Sequence, residues 1–94
     1  MKRKTTKSPY KVGSKYFIRS VTHHYVGKLV EVTPTELVLH KASWVADDGR
    51  FMNAVCEGKL NEVEPYPAKE PVIIGRGGIL DAVKWNFPLP DKQI

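Results

Sequence analysis

The chain carries a single cysteine, Cys56, so no internal disulfide can form and a reducing compartment is the natural expectation. Long apolar runs are also missing. The basic start leads into Tyr10-Lys11-Val12-Gly13, so neither a signal peptide nor a membrane span is expected, which points to the cytoplasm. Histidine is scarce: His23, His24 and His40 are the only three. Neighbouring strand residues point to opposite faces, which argues against His23 and His24 both joining His40 as zinc ligands, so no metal or other cofactor is expected. No Ser/His/Asp or Cys/His arrangement can be read from the spacing, and an enzyme is not expected. Cys56 follows Ala54 and Val55, a setting that favours a buried, inert thiol.

Acidic residues are absent from the first nineteen positions, where Lys2, Arg3, Lys4, Lys7, Lys11, Lys15 and Arg19 contribute +7 of a net charge of +5, leaving −2 for the rest of the chain. Residues 1–10 read as a flexible basic arm, rich in Lys, Arg, Thr and Ser and closed by Pro9, ahead of one domain over residues 11–94. Such an arm is attracted to polyanions: nucleic acid, an acidic protein face or anionic lipid. The alternative is a solvated tail with no partner.

What is abundant is strand chemistry. Val26, Lys28, Val30 and Val32 alternate with Gly27, Leu29, Glu31 and Thr33, Pro34 marks a tight turn, and Leu37-Val38-Leu39 resumes an apolar run. Strands are expected over residues 15–21, 25–32, 36–44, 60–64, 72–74 and 79–85. One short helix fits between them. An Asp of Asp47-Asp48-Gly49 would cap it, Phe51 and Val55 would share its buried face, and Gly58 would stop it. Residues from Asn86 onward, with two prolines in five positions, read as an extended surface-bound end. Val30, Leu37, Leu39, Ile73, Ile79 and Val83 are the expected core. At this length folding buries only about 60–65% of the unfolded chain's surface, so a homo-oligomer that pairs free strand edges is expected to supply further stability.

Two groups of residues carry candidate binding chemistry. Gly75-Arg76-Gly77-Gly78 places one guanidinium among backbone amides that a glycine-rich turn can aim at a phosphate, although a plain hairpin turn explains the same residues. Tyr25, between His24 and Lys28, is the aromatic best placed to stack on a base, with core packing as its alternative role.

Phe17-Ile18-Arg19, Gly27-Lys28-Leu29-Val30-Glu31 and Leu37-Val38-Leu39 together resemble the first motif of Sm-like proteins, including the bacterial Sm-like RNA chaperone. Arg76-Gly77-Gly78-Ile79 after Val72-Ile73-Ile74 resembles the second. The resemblance covers about half the chain. It implies a mainly β fold, a small, strongly bent five-stranded Sm/SH3-like barrel with one short helix, closing by strand pairing into a ring and binding RNA or nucleotides near its loops. The turn at Thr33-Pro34-Thr35 is shorter than the family's and lacks its usual Asp and Asn, with Glu36 in the Asn position, and Gly75 precedes a shortened second motif. Those departures fall on the family's RNA-reading positions. Ala42-Ser43-Trp44-Val45-Ala46-Asp47 is also similar to small proteins of tailed phages. The leading expectation is therefore a non-enzymatic oligomeric barrel binding RNA or a nucleotide-like anion through Arg76, Gly77, Gly78, Lys28, Tyr25 and His24, with Lys2, Arg3, Lys4, Lys7 and Lys11 steering it. The alternative is a phage virion component whose arm docks an acidic protein.

Overall fold

The computed structural model describes residues 8–94; Lys2, Arg3, Lys4 and Lys7 of the expected arm lie outside the described residues. The elements run β1 (Lys15–Ser20), β2 (His24–Val32), β3 (Glu36–Asp47), α1 (Phe51–Glu57), β4 (Glu62–Pro65), β5 (Val72–Gly75), a 3-10 turn (Arg76–Gly78) and β6 (Ile79–Lys84). All strand pairs are antiparallel and form one six-stranded sheet in the order β4-β3-β2-β1-β6, with β5 paired to β3 off that path. Six strands form at the six places the residue pattern predicts, one more than the five-stranded barrel of the resemblance, and the sheet is not closed. β3 is long enough to serve two partners on one edge: Glu36 to Leu39 face β5, and Ser43 to Asp47 face β4.

The centre of the sheet is covered on both sides. Tyr16, Phe17 and Ile18 are consecutive and all buried, and alternate strand residues point to opposite faces. Tyr16 and Ile18 join Leu29, Leu37, Leu39, Ala42 and Ile74 in an inner cluster. Phe17 joins Val26, Val45, Val63 and Trp85 in an outer one, which α1 covers with Phe51 and Val55 and the C-terminal segment covers with Phe87 and Leu89. That segment is extended, as its prolines suggest, and Ile94 exchanges two backbone hydrogen bonds with Val63 along the edge of β4.

The expected core holds at Leu37 and Leu39, both fully buried, and fails at its ends. Ile73 is 62% and Val83 40% exposed, because each sits on a strand with one free edge and points away from the inner cluster. Ile79 is half-buried, packed at the margin of that cluster. Val30 is half-buried because β2 bulges there: Leu29 pairs Leu39 and Glu31 pairs Val38, leaving Val30 as the extra residue. A bulge shifts the side-chain phase by one, so Leu29 and Val32, three apart, both reach the inner cluster.

α1 begins without the expected aspartate cap. Arg50 is the N-cap with no side-chain bond, and the Asp47 carboxylate instead accepts the Gly49 amide, closing the preceding turn. Gly58 ends the helix in the left-handed region at φ 72°, donating its N–H to the Ala54 carbonyl. A Cβ there would also stand 2.6 Å from the Phe87 ring, so only glycine fits. Cys56 is exposed, against expectation: Phe51, Ala54 and Val55 occupy the sheet-facing side of α1, and the next residue turns outward by about 100°.

Candidate functional site

The bend of the β2–β3 hairpin builds the site. Val26 pairs Ser43 and Lys28 pairs His40, so Gly27 alone opposes Lys41 and Ala42. The close approach explains the glycine: a Cβ at position 27 would lie 3.0 Å from both Cα and Cβ of Ala42. The bulge also drives Lys41 to φ 52°, the only non-glycine residue with a positive φ among those described. A lysine is strained there, because the left-handed region favours glycine.

Beside this bulge opens a groove of about 570 Å³. Lys15, Lys28 and Lys41 line it, with Ala42 at the bulge, Pro65, Tyr66 and Ala68 on one wall and Leu89, Pro90 and Asp91 on the other. The three lysines come from three adjacent strands. Lys15 and Lys28 are direct cross-strand partners, an arrangement of like charges that costs stability. Among the described residues none of the three forms an ion pair. The Lys15 ammonium donates to the Phe87 carbonyl, which leaves two N–H groups and ties the C-terminal wall to β1. Tyr66 is half-buried with its amide bonded to the Ala42 carbonyl (2.9 Å), and burial, with Tyr25 nearby, raises its phenol above the ordinary range.

Of the residues the sequence singles out, Lys28 alone lines this groove. Arg76 is at the other end of the hairpin: its guanidinium donates to the Thr33 carbonyl (2.7 Å) and lies 5.5 Å over the Tyr10 ring, while its amide donates to the Thr35 carbonyl (2.8 Å). Gly77 and Gly78 complete the 3-10 turn, and Gly78 accepts the Val21 amide. A Cβ on Gly75 or Gly77 would meet nothing within 4 Å, and neither has a left-handed φ. His24 lies four residues along β2 from Lys28, its Nδ1 3.4 Å from the Asp48 carboxylate and its ring edge-on to Phe17. Tyr25 is half-buried against the inner cluster, paired across strands with Trp44; His23 packs on both rings. Lys11 is exposed, with its amide bonded to the Tyr16 hydroxyl. His40 is exposed opposite Lys28, and no group of three or more His, Cys, Asp or Glu is placed to hold a metal ion among the described residues.

The strongest ion pair lies away from the groove. Arg19 grips Asp81 through both carboxylate oxygens and stacks on the Phe51 ring at 4.3 Å. The Asp81 carboxyl is held below its ordinary range, first by the Arg19 hydrogen bonds, and the guanidinium is raised in return. No helix among the described residues is long and apolar enough to cross a membrane.

Sequence reasoning missed Lys15, Lys41 and Tyr66. A glycine inside an alternating strand, Gly27, was the available signal, since such a residue marks a bulge or a close backbone approach. The chain matches no protein-family model, no curated protein and no solved structure.

Proposed function

We propose that this protein is a non-enzymatic binder of RNA or a nucleotide-like anion, built on a strongly bent Sm/SH3-like half-barrel. The observation that carries the reading is the groove, where three lysines from three strands meet one acidic lining residue, Asp91, and form no ion pair among the described residues. Lys28 and Lys41 have no side-chain hydrogen bond among the described residues and Lys15 keeps two N–H groups beyond its bond to the Phe87 carbonyl, so all three can reach an anion. The barrel type is supported by the bulged, sharply bent β2–β3 hairpin, by the return of β5 to β3 and by the 3-10 turn leading into β6. Lys2, Arg3, Lys4 and Lys7 add salt-dependent attraction, and Lys11 extends it onto the folded body. In this reading Arg76 holds the hairpin tip and the groove holds the anion.

Assembly belongs to the same proposal. Among the described residues β5 and β6 each have one unpaired edge, and Ile73 and Leu80 on these strands are exposed, so pairing between copies would cover both backbone and apolar surface. The second reading is a phage virion component whose basic arm docks an acidic neighbour, favoured by the run of Lys2, Arg3, Lys4, Lys7 and Lys11 without an acidic residue.

Binding of a fluorescent uridine oligonucleotide and of ATP, measured at two salt concentrations, tests the function. Binding of at least one ligand, weakened by salt and by Lys28→Ala, is expected; wild-type protein that binds neither would refute it.

A further inference from the structure

The groove's shape narrows the ligand, and the narrowing rests on the anion-binding reading above. About 570 Å³ is the size of a small-molecule site. Two walls bound it, one held by Pro65 and Tyr66 and the other by Leu89 and Pro90. Adjacent strands are about 4.8 Å apart, and Lys15, Lys28 and Lys41 line this one groove from three of them. Successive phosphates of a nucleic-acid strand are separated by a sugar, whereas those of a polyphosphate are separated by one oxygen. Three lysines lining one bounded groove therefore match a compact polyphosphate better than a strand. Tyr66 supplies the other half of a nucleotide site: its amide is fixed to Ala42 at the bulge, and its half-buried ring packs against the inner cluster while lining the groove with the lysines, where a base can meet it.

Two features that cost the fold meet at this place. Lys15 and Lys28 oppose one another directly, and Lys41 occupies a backbone region where glycine would be relaxed. None of the three lysines forms an ion pair among the described residues, and Asp91 is the single acidic residue lining the groove. Locally unfavourable choices that converge on one cavity mark a functional site. We infer that the groove binds a nucleoside polyphosphate, with the phosphates on Lys15, Lys28 and Lys41 and the base against Tyr66.

Calorimetric titration of the full chain with ATP, ADP and AMP, together with competition by a uridine oligonucleotide, tests this. Affinity is expected to fall from ATP to ADP to AMP, and Lys28→Ala to weaken ATP by about tenfold or more. Lys41→Gly is the sharper variant, because it relieves the backbone: its melting temperature should rise while ATP affinity drops. A Lys41→Gly protein that binds ATP as tightly as wild type overturns the inference. So does an oligonucleotide that binds and is not displaced by ATP, which leaves the broader anion-binding reading standing; failure of every ligand overturns both.

Discussion

The tip and the bend of one hairpin use their cations in opposite ways. At the tip, Arg76 reaches back to the Thr33 carbonyl, lies over Tyr10 and sends its amide to Thr35, so both its side chain and its backbone brace the turn. At the bend, Lys28 and Lys41 stand over a groove with no carboxylate partner among the described residues, one facing a like charge and the other strained. A guanidinium suits the first task because its planar fork fixes the direction of each bond, and a flexible ammonium suits the second. The contrast teaches that a basic residue in a suggestive motif is to be judged by what it already touches.

The largest effect that bears on this contrast is expected at Leu39, which lies under the bend, fully buried in the inner cluster and close to Gly27. Leu39→Ala should destabilise by about 2–5 kcal/mol in chemical denaturation, with tip and groove lost together. Arg76→Ala should cost about 1–2 kcal/mol, since a charged hydrogen bond to the turn is removed at a half-exposed site, while ATP affinity stays near wild type. A large loss of ATP binding in that variant would erase the distinction between the two regions. Lys28→Ala should behave in the reverse sense, with stability changed by no more than about 0.5 kcal/mol and binding reduced.

The last effect concerns a pair outside both regions and leaves binding untouched. Asp81→Asn should destabilise by no more than about 1 kcal/mol at neutral pH, because Arg19 and Asp81 are both substantially exposed. The Asp81 carboxyl has a lowered pKa in the folded state, so its contribution is present above the ordinary value of 3.8 and is lost as pH falls through the lower folded value. The gap between wild type and variant should therefore close in acid. Denaturation midpoints of the two proteins across that range check the sign.

The strand order along the chain was readable because β-branched and aromatic runs are separated by Pro34, Gly49, Gly58 and the prolines at 65, 67 and 71. Leu37 and Leu39 were legible as core for the same reason. Register was not. Counting by twos from Val26 selects Val30 and misses Leu29, since the bulges are set by pairing with β3 and not by any residue's own preference. The site depends on those bulges. Lys15 and Lys28 are thirteen positions apart and meet only through the β1–β2 register, and Tyr66 arrives from the β4–β5 connection. Arg76 stood out in sequence because glycines flank it, and its partner, the Thr33 carbonyl, lies 43 residues away.

The central claim is that the groove at the bend, and not the Arg-Gly turn, receives the anion. Two-dimensional amide NMR of the isotopically labelled chain during an ATP titration tests it most directly. The account predicts that the resonances of Lys15, Lys28, Lys41, Ala42 and Tyr66 move together along one binding curve while those of Arg76, Gly77 and Gly78 stay in place. Shifts concentrated at Arg76, Gly77 and Gly78, with the groove unmoved, would contradict it.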